Sequence, residues 1–260
     1  MDINAAQIFI AFVVLLFSLT VHEMAHAWTA DRLGDPTARL LGRVSLNPIV
    51  HADLVGTVIF PLLAMISRVP LIGWAKPVPV NTRQLRRPRR DYILVAAAGP
   101  ASNLAMAIAA AALLRIVPVS PVTLGEPNVS APLAALLGQG LRLNVLLAVF
   151  NMIPIPPLDG GNVLSGLLPT RFAYRFNAVV RPYGFLLLYA LMLTRGFEYL
   201  VIPPYSLLLS WLQSRRVRVW SPGCGRPAVC TSDIWPARCA SGSPCSRSTT
   251  ASTSSPTGTR

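Results

Sequence analysis

An apolar run from Ala5 to Ala30 is interrupted near its end by His22-Glu23-Met24-Ala25-His26. About 20 apolar residues cross the hydrocarbon core of a bilayer. A charge inside such a run costs at least about 2.5 kcal/mol on insertion scales, so its presence there points to a functional site. Asp2 stands where a cleavable leader would carry basic residues, and the run exceeds the usual apolar core of a leader. A retained transmembrane helix is therefore expected. Composition agrees, with 53% hydrophobic residues, 13% charged residues and a mean hydropathy of +0.52. Soluble domains carry about 25% charged residues. A water-soluble globular enzyme is excluded, and an all-α integral membrane protein is expected.

The net charge of +13 sits in arginine clusters between apolar runs. Positive-inside topology accounts for it, and with no recognition motif present the expected partner is the lipid bilayer, not nucleic acid. Further spans are expected at Tyr92 to Val117 and Leu133 to Ile153, with a closing hairpin of Phe185 to Thr194 and Leu200 to Leu212. Ala52 to Ser67 is short and interrupted by Gly56 and Pro61. It is expected to re-enter the bilayer or lie buried between the first two core spans, a place where irregular backbone is tolerated. Gly73 to Asn81 reads as extended, since each proline biases its predecessor away from the helix. The expected fold is a polytopic bundle of about five to six transmembrane helices. The basic segments Arg32 to Arg43, Arg83 to Arg90, Arg171 to Arg181 and Arg215 to Arg218 share the cytoplasmic side.

Residues 1–213 form the expected membrane domain. Residues 214–260 are rich in Ser, Pro, Thr, Gly, Cys and Arg without apolar periodicity, and read as a disordered tail. The tail holds all four cysteines, Cys224, Cys230, Cys239 and Cys245, at spacings unlike a zinc ribbon.

His22 and His26 are four residues apart, so on a helix both imidazoles reach one metal ion from one face. Glu23 is placed as general base toward an attacking water. A catalytic zinc takes three protein ligands and leaves one position open. The third is His51, the only other histidine, or a carboxylate. Asp159 is the best carboxylate, at the end of a span with Gly160 and Gly161 permitting close backbone approach. Asp53 is a second candidate, although it starts a short apolar run and is placed to cap it.

His22-Glu23-x-x-His26, Gly99-Pro100 followed by Asn103, and Asn151 through Pro154 to Leu158-Asp159-Gly160 together resemble the site-2 protease family of intramembrane zinc metalloproteases, peptidase family M50. Gly42 to Pro48 and Gly73 to Asn81 resemble its compact bacterial branch without a PDZ domain. The resemblance spans roughly residues 5–212. It implies one zinc ion per chain held by His22, His26 and Asp159, Glu23 as base, and Asn144 and Asn103 lining the substrate cleft. It also implies cleavage of a membrane protein with a single transmembrane segment, near the cytoplasmic side of a multi-pass inner-membrane protein. Asn162 departs from the arginine that many relatives carry, and Arg142 falls mid-span, where it needs a partner or a water-filled cavity. The rival readings are a membrane metal transporter and a non-catalytic zinc-binding scaffold. Against the first, no internal repeat is present; against the second, a structural metal needs no base beside it.

Overall fold

The computed structural model describes residues 5–59, 76–116, 130–214, 217–219 and 228–230. Helix α1, Ala5–Arg32, runs unbroken through the His-Glu-x-x-His motif for 28 residues. That is about 42 Å at 1.5 Å per residue, longer than a hydrocarbon core of about 30 Å. The Arg32 guanidinium lies 5.0 Å from the centre of the Trp28 ring, a pairing suited to the membrane–water boundary. Gly34, at φ 112°, ends the helix, and the Asp35 amide returns to the Ala30 carbonyl at 2.9 Å, a Schellman closure.

The turn that follows ties down a distant segment. Asp35 is fully buried. Its Oδ1 accepts from the Thr37 amide at 3.0 Å and from the Thr37 hydroxyl, and its Oδ2 accepts from the Asn81 amide at 2.6 Å. The Leu33 carbonyl accepts from the Arg86 amide at 3.1 Å. Short helices α2, Thr37–Leu40, and α3, Pro48–His51, precede a π-helical turn at Leu54–Ile59. Asp53 caps that turn, accepting from the amides of Val55 at 3.0 Å and Gly56 at 2.7 Å. The rest of the expected re-entrant stretch lies outside the described residues. Residues 76–80 are neither helix nor ladder strand, and are held at one end by the Lys76 amide on the His51 carbonyl at 3.0 Å.

Helix α4, Pro88–Ile116, starts on a proline, whose missing N–H costs nothing there. Its buried face is made of small residues, among them Ala96, Gly99, Ala107, Ala110 and Ala111. Small side chains allow close backbone approach in membranes, and α4 packs against α1, α5 and α6. Helix α5 is Ser130–Asn151, α6 is Asp159–Leu167, α7 is Thr170–Leu193 and α8 is Gly196–Gln213. One apolar cluster joins Ala107, Ala110 and Ala111 to Leu141, Val145 and Leu212, across α4, α5 and α8. A second joins Ile153 and Leu158 to Leu188 and Val201. Phe9, Phe17, Ile116, Phe185, Leu193 and Trp211 are exposed, as lipid-facing side chains are.

The membrane unit is all-α and polytopic. Among the described residues, four helices are long and apolar enough to cross: Gln7–Arg32, Pro88–Ile116, Pro132–Asn151 and Thr170–Leu193. The expected number includes Leu200 to Leu212 as a crossing, whereas Ala52 to Ser67 is expected to re-enter or lie buried. The former belongs to α8, which carries Pro203, Pro204 and Glu198 and is not among the four. Helix α7 begins well before Phe185 and takes in the basic segment from Arg171, arginine being a good helix former. Arg142 is exposed on α5 and its Nε donates to the Gly138 carbonyl at 3.2 Å. The chain divides into Met1–Leu212 and Gln213–Arg260. In the second unit, Val217–Val219 pairs antiparallel with Ala228–Cys230; the other residues of the expected disordered tail, Ser214 apart, lie outside the described residues.

Asp35→Ala leaves the amides of Thr37 and Asn81 without their buried acceptor. We expect a loss of about 2–3 kcal/mol, measured by thermal unfolding in detergent, together with new proteolysis near residues 76–86. Unchanged stability would mean water replaces the carboxylate.

Candidate active site

The local helix brings two candidate ligands together, and the tertiary fold brings a third. His22 Nε2 and His26 Nε2 lie 3.1 Å apart on α1. Asp159 Oδ2, at the start of α6, is 3.1 Å from the first and 3.3 Å from the second. These edges suit one metal ion: for bonds of about 2.0–2.1 Å, a tetrahedron has edges of about 3.3 Å. Among the described residues this is the one group of His, Cys, Asp or Glu that could hold a metal ion. His51 is buried elsewhere, its Nε2 on the Ser45 carbonyl at 2.9 Å, and Asp53 is committed to its cap.

The protonation of the imidazoles follows from what lies behind them. His26 Nδ1 is 2.7 Å from the Val95 carbonyl, which can only accept. Nδ1 therefore carries the proton, and Nε2 turns its lone pair to the metal position. Asn103 Nδ2 lies 3.1 Å from His22 Nδ1, and Asn103 Oδ1 has no partner. With the side-chain amide turned over, Oδ1 accepts from Nδ1–H and leaves Nε2 of His22 free for a metal. Asp159 lies outside the four spans. Burial pushes its carboxyl up, and hydrogen bonding and charge from His22 and His26, when these are protonated on Nε2, outweigh that and hold it well below the usual carboxylate range. It is ionised at neutral pH, as a metal ligand must be.

The Gly99-Pro100-x-x-Asn103 pattern now has a physical meaning. A Cβ on Gly99 would stand 2.6 Å from His22 Nε2 and overlap His26 Nε2, so only glycine lets α4 lie against the ligands. Gly160 and Gly161 serve the expected close approach on the other side. A Cβ on either would collide with the backbone of the 152–158 turn, at the Met152 carbonyl and at the Pro156 nitrogen.

A cavity of about 820 Å³ opens beside the ligands. Glu23 lines it and stays out of the ligand group; its Oε2 accepts from the Val78 amide at 3.2 Å. Asn151 lines it too, whereas Asn103 and Asn144 do not. Asn103 stands behind His22. Asn144 bridges helices, donating to Ser18 Oγ at 3.0 Å and the Gly140 carbonyl at 2.9 Å. Asn144 and Asn151 are seven residues apart and share a face of α5, but about 10 Å separates them along the axis. Asn151 stood in the third motif without an assigned role; its place next to the proline turn leading to Asp159 was the available signal.

The chain matches peptidase family M50 over residues 10–126 and 117–193. It belongs to that family. It is thus a zinc-dependent metalloendopeptidase and an integral membrane protein. The M50 chain is 35% identical over 191 residues to the Bacillus subtilis protein named "Putative zinc metalloprotease YwhC", covering 74% of this chain and 83% of that one. It is 30% identical over 180 residues to the Mycolicibacterium smegmatis protein named "Putative zinc metalloprotease Rip2", covering 69% and 64%. No solved structure matches it.

Metal analysis of the purified chain should find about one zinc per chain. Asp159→Ala and Gly99→Ala should each lose it, the first by removing a ligand and the second by pushing α4 off the imidazoles. His51→Ala should keep it. Zinc lost with His51 and kept without Asp159 would reassign the third ligand.

Proposed function

We propose that this chain is an intramembrane endopeptidase cutting a membrane protein with a single transmembrane segment, close to the cytoplasmic face of a bacterial inner membrane. The observation that carries this reading is depth. His22, His26 and Asp159 meet within the span of α1, before the Trp28–Arg32 boundary pair, and the cavity beside them is walled by Leu19, Val95, Phe150 and Leu188. An apolar peptide fits such walls. No feature of the described residues favours transport or a silent scaffold, and Glu23 beside the ligands speaks for hydrolysis.

Zinc on the three ligands would acidify water and polarise the scissile carbonyl. Glu23 takes the proton of the attacking water and passes it to the leaving amine. The Val78 amide holds the Glu23 carboxylate toward the cleft, lying between Pro77 and Pro79, which have no N–H. A substrate helix must unwind first, because its carbonyls are hydrogen-bonded and shielded. Residues 76–80, unpaired in any ladder, offer an unwound strand an edge to lie along, although the two prolines limit the bonds available.

Glu23→Gln keeps the shape of the side chain and removes the base. The variant should retain zinc and bind single-span peptides, and cleave them at least about 100-fold more slowly. Near-normal cleavage would refute this mechanism, and lost zinc would make Glu23 a ligand.

A further inference from the structure

Arg181 is the only Lys or Arg among the described residues that line the cavity. Its Nη2 donates to Asn162 Oδ1 at 3.3 Å, and the Tyr92 hydroxyl lies against the guanidinium. Both partners are neutral. Among the described residues, no carboxylate lies within ion-pair distance of it. Asp159 is engaged by the imidazoles and Glu23 by the Val78 amide. With a doubly charged zinc bound, Arg181 leaves this cavity with an excess of positive charge over Glu23 and Asp159.

The usual account of an arginine near a cytoplasmic face is a solvated surface charge. It suits Arg171 and Arg175, which do not line the cavity. Arg181 is exposed as well, and differs from those two in lining the cavity. Helix α7 has 24 residues, and every stretch of about 18 residues within it includes position 181, so a crossing by α7 carries Arg181 into the apolar segment. Such a charge needs a cavity and a partner. Arg89 shows the contrasting structural use: its guanidinium donates to the carbonyls of Gly166 and Leu168 at the end of α6. Of the five N–H donors on Arg181, those not used by Asn162 and Tyr92 are left for a ligand.

The position indicates what that ligand is. Asn162 follows Asp159 by three residues, about 4.5 Å along the helix, so the guanidinium lies within roughly 10 Å of the metal ligands. An extended peptide advances about 3.3 Å per residue. We propose that Arg181 is a specificity residue that receives the carboxylate of an Asp or Glu side chain two or three residues from the scissile bond. This rests on the peptidase reading above.

The test uses single-span peptides with both termini blocked, bearing Glu, Gln or Lys at each position up to three residues from the cut. Affinity is measured on the zinc-loaded Glu23→Gln chain, and kcat/KM on the chain with Glu23 intact. With Arg181 present, Glu should be preferred to Gln by about tenfold in both. Arg181→Gln should abolish the preference, Arg181→Glu should transfer it to Lys, and Arg175→Gln should leave it unchanged. Peptides cut without preference would overturn the inference and leave the peptidase reading standing. A binding preference with no peptide cut would overturn the peptidase reading, and with it the placement of the carboxylate relative to a scissile bond. A preference appearing only with an unblocked C-terminus would overturn the side-chain assignment, as would an equal loss on all peptides in Arg181→Gln.

Discussion

The contact between α1 and α4 at Gly99 is the constraint on which the site depends. Ser18, His22 and His26 make one stripe of α1, and Val95, Gly99 and Asn103 make the facing stripe of α4, each stepping by four residues. In this register the Val95 carbonyl meets one imidazole and the Asn103 amide the other, while Gly99 fills the space between without a side chain. A methyl group at the centre would separate the stripes and take both hydrogen-bonded supports away. The local spacing of the histidines matters only because α4 holds the rings in one tautomer.

The bilayer makes that arrangement more demanding. Polar groups at membrane depth cannot turn to water, so each needs a protein partner. Asn144 joins α5 to α1 through Ser18, one turn before His22. Past the helix end, Asp35 gathers three donors, two from neighbouring Thr37 and one from distant Asn81. Through Asn81 it sets the far end of the segment whose Val78 amide meets Glu23. Polar residues outside the candidate metal cluster thus act as ties between segments, and Asn144, expected in the cleft, is one of them.

Much of this was legible without coordinates. The long apolar runs define spans because a bilayer core admits little else, and the i, i+4 histidines share a helix face through local geometry alone. Those features, with the Gly99-Pro100-x-x-Asn103 and Asn151-to-Asp159 patterns, were enough for the M50 family and its metal chemistry. Boundaries were less legible where charge and helix coincide. Arg171 to Arg181 is expected as a basic segment ahead of a span starting at Phe185, yet α7 runs straight through it.

What the sequence by itself determined is what depends on near neighbours in the chain: spans, the paired histidines, the glutamate beside them, and the glycines that permit close approach. The tertiary structure decided the choice among Asp159, His51 and Asp53 as the third member of the cluster. It also placed Asn103 behind a ring rather than in the cleft, exchanged Asn144 for Asn151 in the cavity wall, and brought Arg181 beside the site. Each of these joins residues far apart in the chain. Such contacts depend on how helices approach and in what register, which periodicity along one helix does not encode.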